Sequence, residues 1–321
     1  MSFAPPAPDR AALVEHARST IARGSKSFAA ASRLFDRETR ERVWLLYAWC
    51  RACDDLADAQ DLGGALGDQA GAGTRLARIR ELTGLALAGR PSGDASFDAF
   101  AVVAAECGIT PAMAEDVIAG FALDAAEWQP RSEADLLQYC FHVAGAVGVM
   151  MAVVMGVPPG EEETLARACD LGLAFQLANI ARDVAEDDRA GRCYLPAEWL
   201  AEADIPPGEQ FKPPFRAALV GVVARMCRMA QGYEASARVG AARLRFRQRW
   251  AVLAAAGIYG AIGRKVARAG GRAWDRRIGT GKAAKLEFVL RAGWQALLNR
   301  PPGAPHPRWS LLELSARSRR D

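Results

Sequence analysis

The chain has 321 residues, of which 51% are apolar and only 8% aromatic. Lys and Arg number 41 against 37 Asp and Glu, leaving +4, a balance too weak to indicate a nucleic-acid partner. A mean hydropathy of −0.03 beside that apolar share excludes a largely disordered chain and an integral membrane protein.

Ala, Leu, Arg and Glu fill most of the sequence, and β-branched residues alternating with polar ones are nearly absent, so the chain reads as helical throughout. Helices are expected over 9–23 and 38–58, separated by the segment GSKSFAAASRLFD. After a Gly- and Asp-rich break at 59–73, helices follow over 74–88, 95–107 and 111–128. The last of these opens on Thr110-Pro111, a cap residue before proline at the first helical position. Ser132-Glu133-Ala134-Asp135 resembles a capping box and begins a helix over 133–155. Further helices are expected over 161–187, 214–239, 249–269 and 282–299, with Pro206–Pro214 as a proline-flanked loop. No repeat and no shift in composition separates two cores. The expectation is one all-helical domain over 1–300, followed by a proline-rich, basic tail over 301–321 that includes Arg317, Arg319 and Arg320.

Seven cysteines, an odd number and scattered, read as reduced thiols of a cytoplasmic protein, because MSFAPPAPDR lacks the apolar core of a secretory signal. The longest apolar stretch, Val143–Val157, falls short of the ~18–20 residues needed to cross a bilayer and reads as a buried helix.

Two stripes carry the chemistry. In LLYAWCRACDDLAD, Tyr47, Arg51, Asp54 and Asp58 recur at spacings of four, three and four, which places them on one helix face. In LGLAFQLANIARDVAEDD, Gln176, Asn179, Asp183 and Asp187 follow the same rhythm. Carboxylates one turn apart repel, by a few tenths of a kcal/mol when exposed and more when half-buried. Either stripe alone reads as a solvated acidic helix end. Together, with Arg51, Asn179 and Arg182 beside the acids, they point to a divalent cation with oxygen ligands, best Mg²⁺, holding a diphosphate.

Other candidates fall away. Cys50 and Cys53 form a lone CxxC in mid-helix, better suited to packing than to zinc. Gly279-Thr280-Gly281-Lys282 lacks the first glycine and the final Ser/Thr of a phosphate loop, having Arg276 and Ala283 there. His16, His142 and His306 are isolated, and none completes the Glu-x-x-His pair of a di-iron bundle. Arg243, Arg245, Arg247 and Arg249 read as a solvated connection, or as a patch attracted to anionic lipid.

The segments GSKSFAAASRLFD, YAWCRACDDLAD, YCFHVAGAVG and FQLANIARDVAEDDRAGRCYLP together resemble the squalene/phytoene synthase family, most closely its phytoene-forming bacterial members, over about Gly24 to Leu286. The resemblance implies the class I isoprenoid synthase fold, a helical bundle around a central cavity. It also implies Mg²⁺-dependent (or Mn²⁺-dependent) head-to-head condensation of two geranylgeranyl diphosphates through prephytoene diphosphate to phytoene, the first committed step of carotenoid biosynthesis. No NADPH is expected. By the same resemblance, Asp54, Asp58, Asp183 and Asp187 are the two aspartate motifs, with Asn179 joining the metal ligands and Arg182 flanking them. Tyr47, Arg51, Tyr139, Gln176 and Tyr194 match residues lining the diphosphate and cyclopropyl-intermediate sites; Ser25 and Phe28 fall in the (H/G)SKSF segment, and Arg277 matches a diphosphate contact. Ala57 is smaller than the usual branched residue, and Gly24 stands where some relatives carry His. The alternatives are squalene or dehydrosqualene formation from farnesyl diphosphate, or a catalytically silent member, which should have lost a motif aspartate. As partners, the resemblance admits peripheral attachment to the inner face of the membrane and contact with other carotenoid-pathway enzymes. Val143–Met155 and Leu171–Val184 are expected to wall a dry cavity, with Gly145 and Gly148 letting prenyl chains pass close to the backbone.

Overall fold

The computed structural model describes residues 9–60 and 71–300; the tail over 301–321, with His306, lies outside the described residues. Each expected helix is present, and among the described residues there is no strand. The described chain falls into two compact units. The first is formed by residues up to Ala126 together with Met150–Pro158, the second by Glu127–Val149 together with residues from Pro159 onward.

In the first unit α1 (Arg10–Gly24), α2 (Lys26–Ser32), α3 (Arg37–Ala57), α4 (Ala72–Leu87), α5 (Ala95–Cys107) and α6 (Pro111–Ala125) succeed one another. α3 is the centre. It starts where Asp36 accepts the Thr39 backbone N–H at 2.9 Å, satisfying a donor that the first turn leaves without an intrahelical partner. Val43, Leu45, Leu46, Trp49 and Cys53 are buried against α1, α4 and α5. Trp49 stacks on Phe100 with ring centroids 4.2 Å apart and donates to Thr83 Oγ1 at 3.2 Å. A wholly buried tryptophan of roughly 200 Å² stabilises such a unit by about 5 kcal/mol before entropy is counted. α3 ends at Asp58 because Ala59 turns left-handed, with φ +50°, so the last motif carboxylate lies where the helix stops. Two short helices exceed the sequence expectation: α2, whose seven residues are too few to show a period, and α10 (Ala197–Glu202).

In the second unit the Ser132/Asp135 capping box is present, and it opens α7 (Glu133–Cys140). A π-helical turn, Phe141–Gly145, and α8 (Ala146–Val154), whose residues from Met150 on belong to the first unit, continue that run to 22 residues. By length and composition the run is apolar enough to cross a bilayer, more than the Val143–Val157 stretch alone suggested. Its most apolar window is 72% buried inside protein, as in a core helix. α9 (Glu162–Arg189) packs against α11 (Arg216–Ala241) and α12 (Phe246–Ala269), and α13 (Lys282–Leu298) lies along α12.

The approach of the π-helical turn to α9 depends on glycine. A Cβ on Gly172 would sit 2.3 Å from the Ala144 carbonyl oxygen, and one on Gly148 would sit 2.5 Å from that of Ala168. A Cβ on Gly145 would meet Cys169 Sγ at 2.9 Å. These glycines therefore serve helix-to-helix contact, which corrects the expectation that Gly145 and Gly148 open a path for prenyl chains. Buried charge on α9 is matched locally: Arg167 donates to the Ser236 carbonyl and hydroxyl oxygens at 3.3 Å and to Glu163 at 3.1 Å, and Ser236 donates to Asp170.

Candidate active site

Each unit carries one of the acidic helices. On α3 the side chains of Tyr47, Arg51, Asp54 and Asp58 share a face, as their spacing requires. The α1–α2 junction meets that face. Ser25 caps α2 by accepting the Phe28 N–H at 3.3 Å, and the Phe28 ring lies edge-on to Tyr47 at 5.6 Å. A Cβ on Gly24 would fall 2.6 Å from Tyr47 Oη, so the tyrosine hydroxyl occupies the space that any larger residue at position 24 would take. The structure thus brings Ser25, Phe28, Tyr47 and Arg51 together.

The polar atoms of this cluster are under-satisfied. Tyr47 Oη and Arg51 Nε are buried without a hydrogen-bond partner. Arg51 Nη1 lies 3.6 Å from Asp54 and 3.8 Å from Asp55, too far for tight bonds. Burial opposes the charge on Arg51, but Asp54, Tyr47 and Asp55 outweigh it and raise its pKa. Asp54 keeps 42% of its side-chain surface yet is crowded by protein at longer range. Loss of solvent pushes its carboxyl up to about 7; Arg51 opposes the shift, while Asp58, Asp55 and Asp124 add to it. Buried donors without partners beside a reluctant carboxylate suit an anion and a cation together.

On α9 the face of Gln176, Asn179, Asp183 and Asp187 is half-buried, backed by Leu177, Ile180, Ala181 and Val184. Asp183 is gripped twice. Arg182 forks onto it, donating Nε–H at 2.7 Å and a second N–H from Nη2, and the hydrogen bond to Asp183 is the main reason the Arg182 pKa is raised. Arg277 reaches Asp183 at 3.4 Å and also pairs with Glu186. Trp274 fastens the strand of chain bearing Arg277, donating to the Ala181 carbonyl at 3.0 Å. In the same unit Tyr139, just before the π-helical turn, stacks on Tyr194 at 4.8 Å and on Trp128 at 6.0 Å. A π-helical turn at such a position is a frequent mark of a functional site.

Sequence reasoning did not reach Glu186, Trp128 or Asp124. Glu186 was legible, being one turn beyond Asp183 on the same helix; Trp128 and Asp124 come from other elements, and nothing in their local spacing marks them. The remaining candidates are structural. Burial pushes the Cys50 and Cys53 thiols far up, leaving them inert, and His142 is buried with its ring edge-on to Phe141. Of the arginine run at the start of α12, Arg243 pairs with Glu163 and Arg249 donates to the Ala296 and Leu244 carbonyls, whereas Arg245 and Arg247 are exposed.

Among the described residues no three or more carboxylate, histidine or cysteine groups form a ready-made cation cage. Mg²⁺ does not need one. It ordinarily takes one or two carboxylates and completes its shell with water and phosphate, a demand that the oxygen donors of α3 meet by themselves and those of α9 by themselves.

Residues 21–284 match the family model described as squalene/phytoene synthase. The chain is 48% identical over 287 residues to a phytoene synthase of Pseudescherichia vulneris, covering 89% of this chain and 92% of that protein. It is 46% identical to a 15-cis-phytoene synthase of Pantoea ananas over 92% and 96% of the two chains. A dehydrosqualene synthase crystal structure superposes with a TM-score of 0.80 at 24% identity, covering 90% and 98%. A squalene synthase from Alicyclobacillus acidocaldarius gives 0.71 at 21%, covering 81% and 95%. These two structures establish the isoprenoid synthase helical fold.

Proposed function

The chain belongs to the squalene/phytoene synthase family, and on that premise we propose that it joins two geranylgeranyl diphosphates head to head, through prephytoene diphosphate, to give phytoene. Each of the two stages expels one diphosphate and one proton. The observation that carries the reading is the pair of buried, unpartnered donors, Tyr47 Oη and Arg51 Nε, next to Asp54 on a motif helix.

The residues divide the work by chemistry. Asp54 and Asp58 on α3, and Asn179, Asp183 and Asp187 on α9, are the oxygen donors that would hold divalent ions. Bound there, Mg²⁺ supplies Lewis-acid stabilisation of the leaving diphosphate. Arg51 and Tyr47 donate to diphosphate oxygens. Arg182 and Arg277, which pair with Asp183 and Glu186, turn to phosphate once those carboxylates are engaged. Ser25 and Phe28 position Tyr47 from the α1–α2 junction, and Gln176 adds an amide on the α9 face.

Heterolysis of an allylic C–O bond leaves a carbocation that must meet the second prenyl chain before it meets water. Tyr194, half-buried and held in place by stacking on Tyr139, which Trp128 backs in turn, offers π density that attracts such a cation without trapping it as a nucleophile would. Proton loss, with no hydride donor, then closes the second stage.

The test is product identification. Purified protein with Mg²⁺, offered geranylgeranyl and farnesyl diphosphates in competition and no NADPH, is expected to yield phytoene. Product that requires NADPH, or that forms from farnesyl diphosphate alone, would refute the reading.

A further inference from the structure

α13 buries one side and leaves an unusually apolar side in solvent. Ala292 and Ala296 face α12, whose Trp250 donates to the Val289 carbonyl at 2.7 Å and whose Arg249 donates to that of Ala296 at 2.9 Å. On the opposite side Leu286, Leu290, Trp294 and Leu297 are 61–65% exposed. Their spacings of four, four and three make one continuous stripe along the 17-residue helix. That is about 25 Å of helix, too short to cross a bilayer but suited to lying in its surface. Scattered exposed leucines need no explanation; four large apolar side chains in a row do.

The surroundings of the stripe are basic. Lys282, Arg291 and Arg300 are exposed along or just beyond α13, and Arg268 is exposed on α12 across the groove between the two helices. At the start of α12, Phe246 is 43% exposed between Arg245 and Arg247, both exposed. Arg249, three residues further on, ties that end of α12 to the last turn of α13. Glu287 is the acidic exception on α13.

We propose that the outward face of α13 docks on an anionic lipid bilayer, with Leu286, Leu290, Trp294 and Leu297 entering the headgroup–acyl boundary and Lys282, Arg291 and Arg300 meeting lipid phosphates. Charge selects this occupant over two others. A second copy would bring like-charged basic rims together. The segment 301–321 carries Arg308, Arg317, Arg319 and Arg320 against Glu313 and Asp321, so it too would meet a face of its own sign. Leucine and tryptophan on one side with Lys and Arg at the margins is the composition of an interfacial helix. The proposal does not depend on the catalytic reading, although a surface that delivers a forty-carbon hydrocarbon into lipid is an apt companion to it.

The full-length protein is to be co-sedimented with vesicles of phosphatidylcholine alone and of phosphatidylcholine mixed with phosphatidylglycerol. Binding is expected to favour the mixed vesicles and to weaken as salt is raised. Leu290→Glu with Trp294→Glu should lower binding about tenfold or more. Arg291→Glu with Arg300→Glu should remove the preference for phosphatidylglycerol. Both variants should keep the parent melting temperature and activity on detergent-dispersed substrate. The proposal is overturned if the parent ignores mixed vesicles, or if the Leu290/Trp294 variant binds like the parent. It is also overturned if that variant only dissolves a lipid-free dimer while vesicle binding persists.

Discussion

Asp54→Asn tests the site from two directions, because the carboxylate that the chemistry needs is one that the fold resists. The Asp54 carboxyl titrates at about 7 in the folded protein, above the ordinary aspartate value of about 3.8. A shift of about 3 units corresponds nominally to ~4 kcal/mol at ~1.4 kcal/mol per unit. Because 42% of the side chain remains exposed, solvent screening reduces this to about 1–2 kcal/mol. The sign follows from linkage: the ionised form is disfavoured in the fold. The destabilisation is therefore complete above about pH 7, shrinks as pH falls and vanishes below the unfolded value. Asparagine removes the charge. In EDTA at pH 8 the variant should melt roughly 1.5–3 °C above the parent, at about 1.5 °C per kcal/mol for a chain of 321 residues. The gap should narrow as pH is lowered towards 5. Catalysis should fall by several orders of magnitude, and Mg²⁺ with diphosphate should stabilise the parent while leaving the variant nearly unmoved. Scanning calorimetry at two pH values, with and without Mg²⁺, reads all of this. A variant that melts with or below the parent at pH 8 in EDTA, or that retains full activity, refutes the reasoning.

Gly24→Ala places a methyl 2.6 Å from Tyr47 Oη; because the hydroxyl must move, turnover is expected to fall about tenfold with little change in melting temperature, as steady-state kinetics would register. Gly172→Ala puts a carbon 2.3 Å from the Ala144 carbonyl oxygen, where neither backbone can yield cheaply. A loss of about 3 kcal/mol or more is expected from overpacking, seen as a lower denaturation midpoint. Arg277→Ala removes a guanidinium that is 58% exposed and bridges Asp183 and Glu186. Stability should change by less than ~0.5 kcal/mol, while KM for the prenyl diphosphate rises about tenfold. An unchanged KM would take Arg277 out of the substrate site.

What the amino-acid order determined alone is whatever repeats within one helix. The four-three-four rhythm of Tyr47, Arg51, Asp54 and Asp58, and its counterpart from Gln176 to Asp187, survive into α3 and α9 because side-chain direction follows the 3.6-residue turn wherever the helix goes. The caps at Thr110 and Ser132 are local for the same reason: each satisfies a backbone donor three residues away. Tertiary structure decided what depends on partners distant in sequence. Only packing showed that Gly145, Gly148 and Gly172 serve the approach of one helix to another, and that Arg243 belongs to Glu163 rather than to a free basic patch. It likewise stacked Trp128 on Tyr139 and set Asp124 near Asp54. The outward stripe of α13 belongs to both levels. Its leucines and Trp294 are legible as a helix face, but an apolar face reads as core until the neighbours are placed, and here the neighbours stand on the other side.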